Sequence, residues 1–187
     1  MKKGGVGGAK TAKSGSEFEA LSDDKLLKAL ETSGFEQILL LGLNSSGNGV
    51  HGLSMERAGC KIDIFYKAGI YKYFFEPRKI NAREIFSARL EPDSAIYSHR
   101  KKVLTIIEKK QQTGAGSVAE KLQTCDYKRY YYETLLKGTG VKLEIIWLLG
   151  SYFYDNKSGL ASVFEYMESK GSKYIFGEEL PLEELTL

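Results

Sequence analysis

Residues 90–124 read LEPDSAIYSHRKKVLTIIEKKQQTGAGSVAEKLQT. Two apolar runs, Ser94–Tyr97 and Val103–Lys109, flank the polar turn His99–Lys102, which predicts two adjacent strands joined as a hairpin. Glu108 and Lys110 are two residues apart on the second strand, so their side chains leave the same face. The Lys109 side chain points to the opposite face, but its carbonyl stays with the first pair. Asp93 opens the first strand, and the hairpin brings it beside Glu108. Gln112 continues the register of Glu108 and Lys110. After a loop with two glycines, Ser117 is placed to cap a helix running to about Leu136. Glu120, three residues on, completes a capping box.

These side chains match the needs of phosphodiester hydrolysis. The attacking water must lose a proton, and negative charge builds up around phosphorus. A hard divalent cation held by carboxylate and carbonyl oxygens helps with both tasks. A lysine beside it orients the nucleophile and offsets the developing charge. Asp93, Glu108 and the Lys109 carbonyl are the candidate metal ligands, and Lys110 is the candidate catalytic lysine. The bland alternatives are a turn role for Asp93 and a solvated edge-strand pair for Glu108 and Lys110. The joint register of the three residues favours catalysis.

On the C-terminal side, Val141–Leu149 has the composition of a buried strand. Ser158–Lys170 follows as an amphipathic helix with Leu160, Val163, Phe164 and Met167 inward. Gly171 stops it, and Lys173–Phe176 is a last strand. Trp147, in an apolar strand, is read as core, as are one or two of Tyr130, Tyr131 and Tyr132. On the N-terminal side, a helix is expected to open near Ser14 or Ser16, and a second to span Ser22–Thr32 with Ser22 as its cap. Phe35–Leu43 is apolar and of either type. Lys61–Tyr66 and Ile70–Phe75 around Ala68-Gly69 read as a hairpin, and Asn81 caps a short helix to Phe86. Residues 1–13 are rich in Gly and Lys and read as a flexible basic arm. GGVGGAKT is not a phosphate loop, because it lacks the Gly-Lys junction and no strand precedes it. The expected fold is α/β, a single domain over residues 14–187 with a mixed central sheet flanked by helices.

The chain has 187 residues, 42% of them hydrophobic and 27% charged, enough for one compact domain with a real core. A net charge of +3 excludes a histone-like polycation. The basic residues nevertheless cluster at Lys2, Lys3, Lys10 and Lys13, at His99–Lys102 and at Lys128-Arg129, while the C-terminus is acidic. A polyanion partner suits that distribution, and scattered solvated lysines are its bland counterpart. Cys60 and Cys125 have no metal-like spacing, which points to a reduced, cytoplasmic protein. No apolar run reaches membrane-spanning length, and the first ten residues lack the apolar stretch of a secretion signal. His51 and His99 are isolated and receive no role.

Pro92-Asp93, fourteen intervening residues and Glu108-Lys109-Lys110 resemble the signature of the PD-(D/E)XK nuclease superfamily. IIEKKQQ with the downstream EKLQT, and Gly7-Gly8-Ala9, Thr11, Ser14-Gly15 and Phe18-Glu19, are similar to segments of type II restriction endonuclease-like proteins. The resemblance implies a restriction-endonuclease-like core and a Mg²⁺-dependent, sequence-specific cleavage of double-stranded DNA, with Mn²⁺ able to replace Mg²⁺. It also implies a homodimer, one site per strand of a palindrome. Glu19 matches the position that supplies a further acid at the metal; otherwise it is a helix acid favoured by the dipole. Gln112 is a catalytic candidate or an ordinary loop glutamine. Gln123 and Tyr127 have the Gln-x₃-Tyr spacing of the superfamily's exonuclease branch. With Lys121 and Lys128, and with Lys10 and Lys13 on the arm, they form the expected DNA contacts. At 3.6 residues per turn, Lys121, Gln123, Tyr127 and Lys128 cannot all face one way. The divergent segment Phe35–Lys79 is where such enzymes carry target recognition. The rival functions are a repair, resolvase or exonuclease-type nuclease of the same fold, and a DNA-binding module without catalysis.

Overall fold

Val103–Lys110 is dominated by aliphatic and β-branched residues, the composition of a strand covered on both faces. In the computed structural model, which describes residues 8–42, 50–112 and 118–187, it forms the strand β5. Its antiparallel neighbour is β4 (Ser94–Ser98), in register from Ser94 opposite Ile107 to Ser98 opposite Val103. Its parallel neighbour is β6 (Lys142–Leu149), which places Glu108 beside Trp147 and Lys110 beside Leu149.

Among the described residues the sheet has seven strands in sequence order: β1 (Glu36–Leu40), β2 (Gly52–Arg57), β3 (Cys60–Tyr66), β4, β5, β6 and β7 (Lys173–Phe176). Strands β1 to β5 are antiparallel, and β5, β6 and β7 are parallel. Parallel neighbours need long crossovers. The first is α3 (Val118–Gln123) with α4 (Cys125–Leu136), and the second is α5 (Ser151–Asp155), a 3₁₀ turn and α6 (Ala161–Ser169). The architecture is α/β, a mixed sheet flanked by helices.

Alternation along β5 divides the interior into two cores. Leu104 and Ile106 pack with Trp147, with Tyr131, Tyr132 and Leu135 of α4, and with Met167 of α6. Ile107 faces the other way, toward Leu26 and Leu30 of α1 (Gly8–Thr32), with Ile62, Ile64 and Ile146. Each such fully buried side chain contributes about 1.5–3 kcal/mol of transfer free energy. Tyr131 and Tyr132 are core while Tyr130 is exposed. No helix among the described residues is long and apolar enough to cross a membrane.

Several local expectations are corrected. The two N-terminal helices are one, α1, and it includes residues 8–13 assigned above to the arm. Ser22 is not a cap: its hydroxyl donates to the Phe18 carbonyl one turn back (2.8 Å) and leaves the helix unbroken. Phe35 itself is buried, and the run continues as β1 at the edge of the sheet, its side chains exposed. The hairpin partner of β3 is β2. They join through Ala58 and Gly59, both at positive φ (48° and 77°), as a two-residue turn of the favoured hand requires. Ile70–Phe75 is therefore not a strand. Tyr71–Phe75 forms a helical turn that buries Tyr71, Phe74 and Phe75 against the first core. Asn81 does cap α2 (Ala82–Ile85), its side chain accepting from the Arg83 amide. The long helix expected from Ser117 is broken at Thr124 into α3 and α4, and Ser117 itself lies outside the described residues. The helix expected from Ser158 begins at Ala161, after a 3₁₀ turn over Lys157–Leu160.

Candidate active site

The C-terminal end of β5 and the entry to β4 carry the charged centre. Asp93, immediately before β4, is nearly buried, and its Oδ2 accepts from the Lys109 amide at 2.7 Å. Lys110 Nζ donates to three oxygens: Asp93 Oδ2 (2.8 Å), Glu108 Oε2 (3.1 Å) and the Lys109 carbonyl (2.9 Å). The expected trio is therefore brought together, with the Lys109 carbonyl on the same side.

Each carboxylate holds a second lysine on its other oxygen. Lys67 Nζ lies 2.6 Å from Asp93 Oδ1, and Lys128 Nζ lies 2.6 Å from Glu108 Oε1. Lys67 also reaches Glu19 Oε2 at 2.7 Å, which ties the first helix to the centre. The indole of Trp147 lies beneath both Lys110 and Lys128, with each ammonium 5.9 Å from the ring. Glu108 is almost fully enclosed, whereas the side chains of Lys110 and Lys67 are 26% and 47% exposed, so the centre opens to solvent past these two lysines.

The electrostatics follow from this pairing. Burial alone raises the Asp93 carboxyl, but Lys110 and Lys67 outweigh it and hold the group down at about 2. Burial lowers Lys110 and Lys67, yet the carboxylates around each more than offset that, so both ammoniums are raised above the ordinary lysine value. On the opposite face of β5, Lys109 forms a short ion pair with Asp23 of α1. Burial there pushes the Asp23 carboxyl up and the Lys109 ammonium down, each countered in part by the other. Asp23 and Glu19 are four apart and share a face of α1. The Asp23–Lys109 contact therefore docks the helix so that Glu19 meets Lys67.

The remaining candidates divide. Gln112 is buried just beyond β5, and Lys121 donates to its Oε1 at 3.5 Å. Lys128 does not project outward as expected of a DNA contact; it turns in to Glu108, its side chain only 17% exposed. Gln123 and Tyr127 are exposed, and among the described residues neither joins the charge cluster. The side chains of Lys10 and Lys13 lie outside the described residues. Sequence reasoning missed Lys67 and Asp23. A lysine before Ala68-Gly69 reads as an ordinary turn residue, and Asp23 as an ordinary helix acid.

Among the described residues no three His, Cys, Asp or Glu side chains converge on one metal position. Two carboxylate oxygens and one carbonyl do converge, on the Lys110 ammonium. That donor set suits Mg²⁺, which typically uses one or two carboxylates and completes its shell with water and phosphate. The residues present therefore fit the cation. No family model matches the chain, and no curated protein matches its sequence.

Proposed function

We propose that the chain is a Mg²⁺-dependent endonuclease of the PD-(D/E)XK type that hydrolyses phosphodiester bonds of double-stranded DNA, as a type II restriction enzyme does. The observation that carries this reading is the convergence of Asp93 Oδ2, Glu108 Oε2 and the Lys109 carbonyl on one positive charge at the end of β5. The order of elements supports a restriction-endonuclease-like core: a helix, an antiparallel meander ending in β5, a helical crossover and the parallel strand β6.

Asp93, Glu108 and the Lys109 carbonyl would hold the cation, which when bound lowers the pKa of its water and offsets charge on the phosphate. Lys110 would yield its place among these oxygens and remain beside them on a flexible stem. From there its ammonium orients the attacking water and donates to a phosphoryl oxygen as charge develops. Lys128 fixes the outer oxygen of Glu108, so the carboxylate keeps its Oε2 turned inward. The water gives a proton to bulk solvent as its oxygen bonds to phosphorus, one phosphorus–oxygen ester bond breaks, and the departing alkoxide takes up a proton from solvent. In this reading the enzyme works in the cytoplasm as a homodimer, one centre per DNA strand.

The test is incubation of the protein with plasmid and genomic-length DNA in Mg²⁺, followed by sequencing of fragment ends, beside Lys110→Ala and Glu108→Gln. Discrete fragments with a common end sequence from the wild type alone support the reading. Progressive loss from DNA ends points to an exonuclease instead. Binding with equal inactivity of all three proteins overturns catalysis.

A further inference from the structure

Two lysines stand on Asp93, one per carboxylate oxygen, and their surroundings differ. Lys110 Nζ is ringed by two carboxylates and a carbonyl, whereas Lys67 Nζ rests between Asp93 Oδ1 and Glu19 Oε2. Each ammonium marks a place where a cation fits, and Asp93 bridges the two places. The difference lies in how each lysine is supported.

Lys67 leaves a turn that is fixed on both sides. The Tyr66 amide donates to the His51 carbonyl (2.9 Å) and the Tyr71 amide donates to the Ala68 carbonyl (3.0 Å). Gly69 packs so closely that an added Cβ would lie 2.0 Å from the His51 carbonyl oxygen. Lys67 itself has φ 48°, a left-handed conformation that favours glycine and costs a lysine free energy. The turn thus aims this side chain from a rigid base between α1 and β4. Lys110 instead leaves the last residue of β5, and its ammonium sits where the two carboxylates and the Lys109 carbonyl converge.

Charge decides which lysine gives way. Glu19, Asp93 and Glu108 carry three negative charges, and one divalent cation with Lys67 and Lys128 already supplies four positive charges. Lys110 is then left over to face a phosphodiester. A second divalent cation at Glu19 would instead add charge beside an Asp93 already neutralised. We infer that Lys67 is a built-in substitute for a second metal ion, so that the centre takes one divalent cation per chain. The inference rests on the nuclease reading for the first cation and adds the assignment of Lys67.

The experiment is Mn²⁺ binding to the full chain without DNA, followed by loss of the free-ion electron paramagnetic resonance signal up to millimolar Mn²⁺. One Mn²⁺ per chain is expected for the wild type and for Lys67→Arg. Lys67→Met should bind two, and Lys67→Met with Glu19→Gln should return to one. Lys67→Gln serves as an uncharged alternative, with circular dichroism confirming the fold of each protein. Two Mn²⁺ in the wild type, or one in both Lys67→Met and Lys67→Gln, overturns the assignment of Lys67 and leaves the nuclease reading standing. No Mn²⁺ in the wild type overturns the metal-dependent reading itself.

Discussion

Asp93 is where the pairing of charges can be measured without any substrate. Its carboxyl is held at about 2, against an ordinary value of 3.8. The folded-state value is depressed, so the stabilisation is fully present above the unfolded pKa and is lost as pH falls through the folded one. The shift corresponds to about 2.4 kcal/mol at neutral pH. By linkage roughly 1 kcal/mol of this is lost by pH 3 and about 2 kcal/mol by pH 2. The group is nearly buried, so solvent screening removes little of that amount. The assay is urea unfolding of the wild type and Asp93→Asn from pH 6 to the lowest pH at which both fold, with chelator present. Lys67 and Lys110, both raised above the ordinary lysine value, stay charged throughout this range. The stability gap between the two proteins should narrow by about 1 kcal/mol between pH 6 and pH 3. Lys110 contributes more to the depression than Lys67, so Lys110→Met should raise the Asp93 carboxyl further than Lys67→Met, as followed by carbon NMR. A gap that does not change with pH, or an Asp93 carboxyl titrating near 4, would refute the argument that the lysines grip this side chain.

Three further outcomes are expected. Gly69→Ala places a Cβ against the His51 carbonyl and disturbs the turn that aims Lys67; it should lower the melting temperature and reduce cleavage together, read by calorimetry and plasmid nicking. Phe74→Ala removes a fully buried ring packed edge-on against Phe65, Phe75 and Tyr97, and should destabilise by about 3–5 kcal/mol in denaturant unfolding. Cys125 is buried and its thiol is pushed up by burial, while Cys60 is partly exposed; a maleimide at pH 7 should label Cys60 in the folded protein and Cys125 only after unfolding, read by mass spectrometry.

The parts of the fold legible in the sequence are those where local pattern and tertiary environment agree. Ser94–Ser98, Val103–Lys110, Lys142–Leu149 and Lys173–Phe176 are found as strands within a residue or two of their expected bounds, because aliphatic and β-branched runs ending in polar turns have one economical conformation. Tyr71–Phe75 has an equally apolar sequence and forms a helical turn instead. Its rings reach the first core only when Tyr71, Phe74 and Phe75 share one side, a spacing that strand alternation forbids. The Ser22 position shows the opposite ambiguity: a serine that is a good cap in isolation is accommodated mid-helix once Phe18, Leu26 and Leu30 bury a continuous face.

The centre itself divides along the same line. Asp93, Glu108 and Lys110 are linked by strand register, a property of spacing within 18 residues, and so the sequence alone brings them together. Lys67 reaches the centre, and Asp23 reaches the Lys109 side chain on the opposite face of β5, from 26 and 86 residues away from their partners, through a sheet register and a helix docking that no local pattern encodes. Their signal is physical rather than sequential. A buried acid requires a compensating charge, and Asp93 and Glu108 have four carboxylate oxygens to satisfy. Lys110 and the Lys109 amide satisfy the inner pair, so the outer pair obliges the fold to deliver two more cations, and Lys67 and Lys128 are those cations. A centre built only for stability would gain by replacing so costly a set of buried charges with apolar side chains. In the proposed nuclease reading, the three acids Glu19, Asp93 and Glu108 and the three lysines Lys67, Lys110 and Lys128 form a balance that an incoming cation and phosphate would tip.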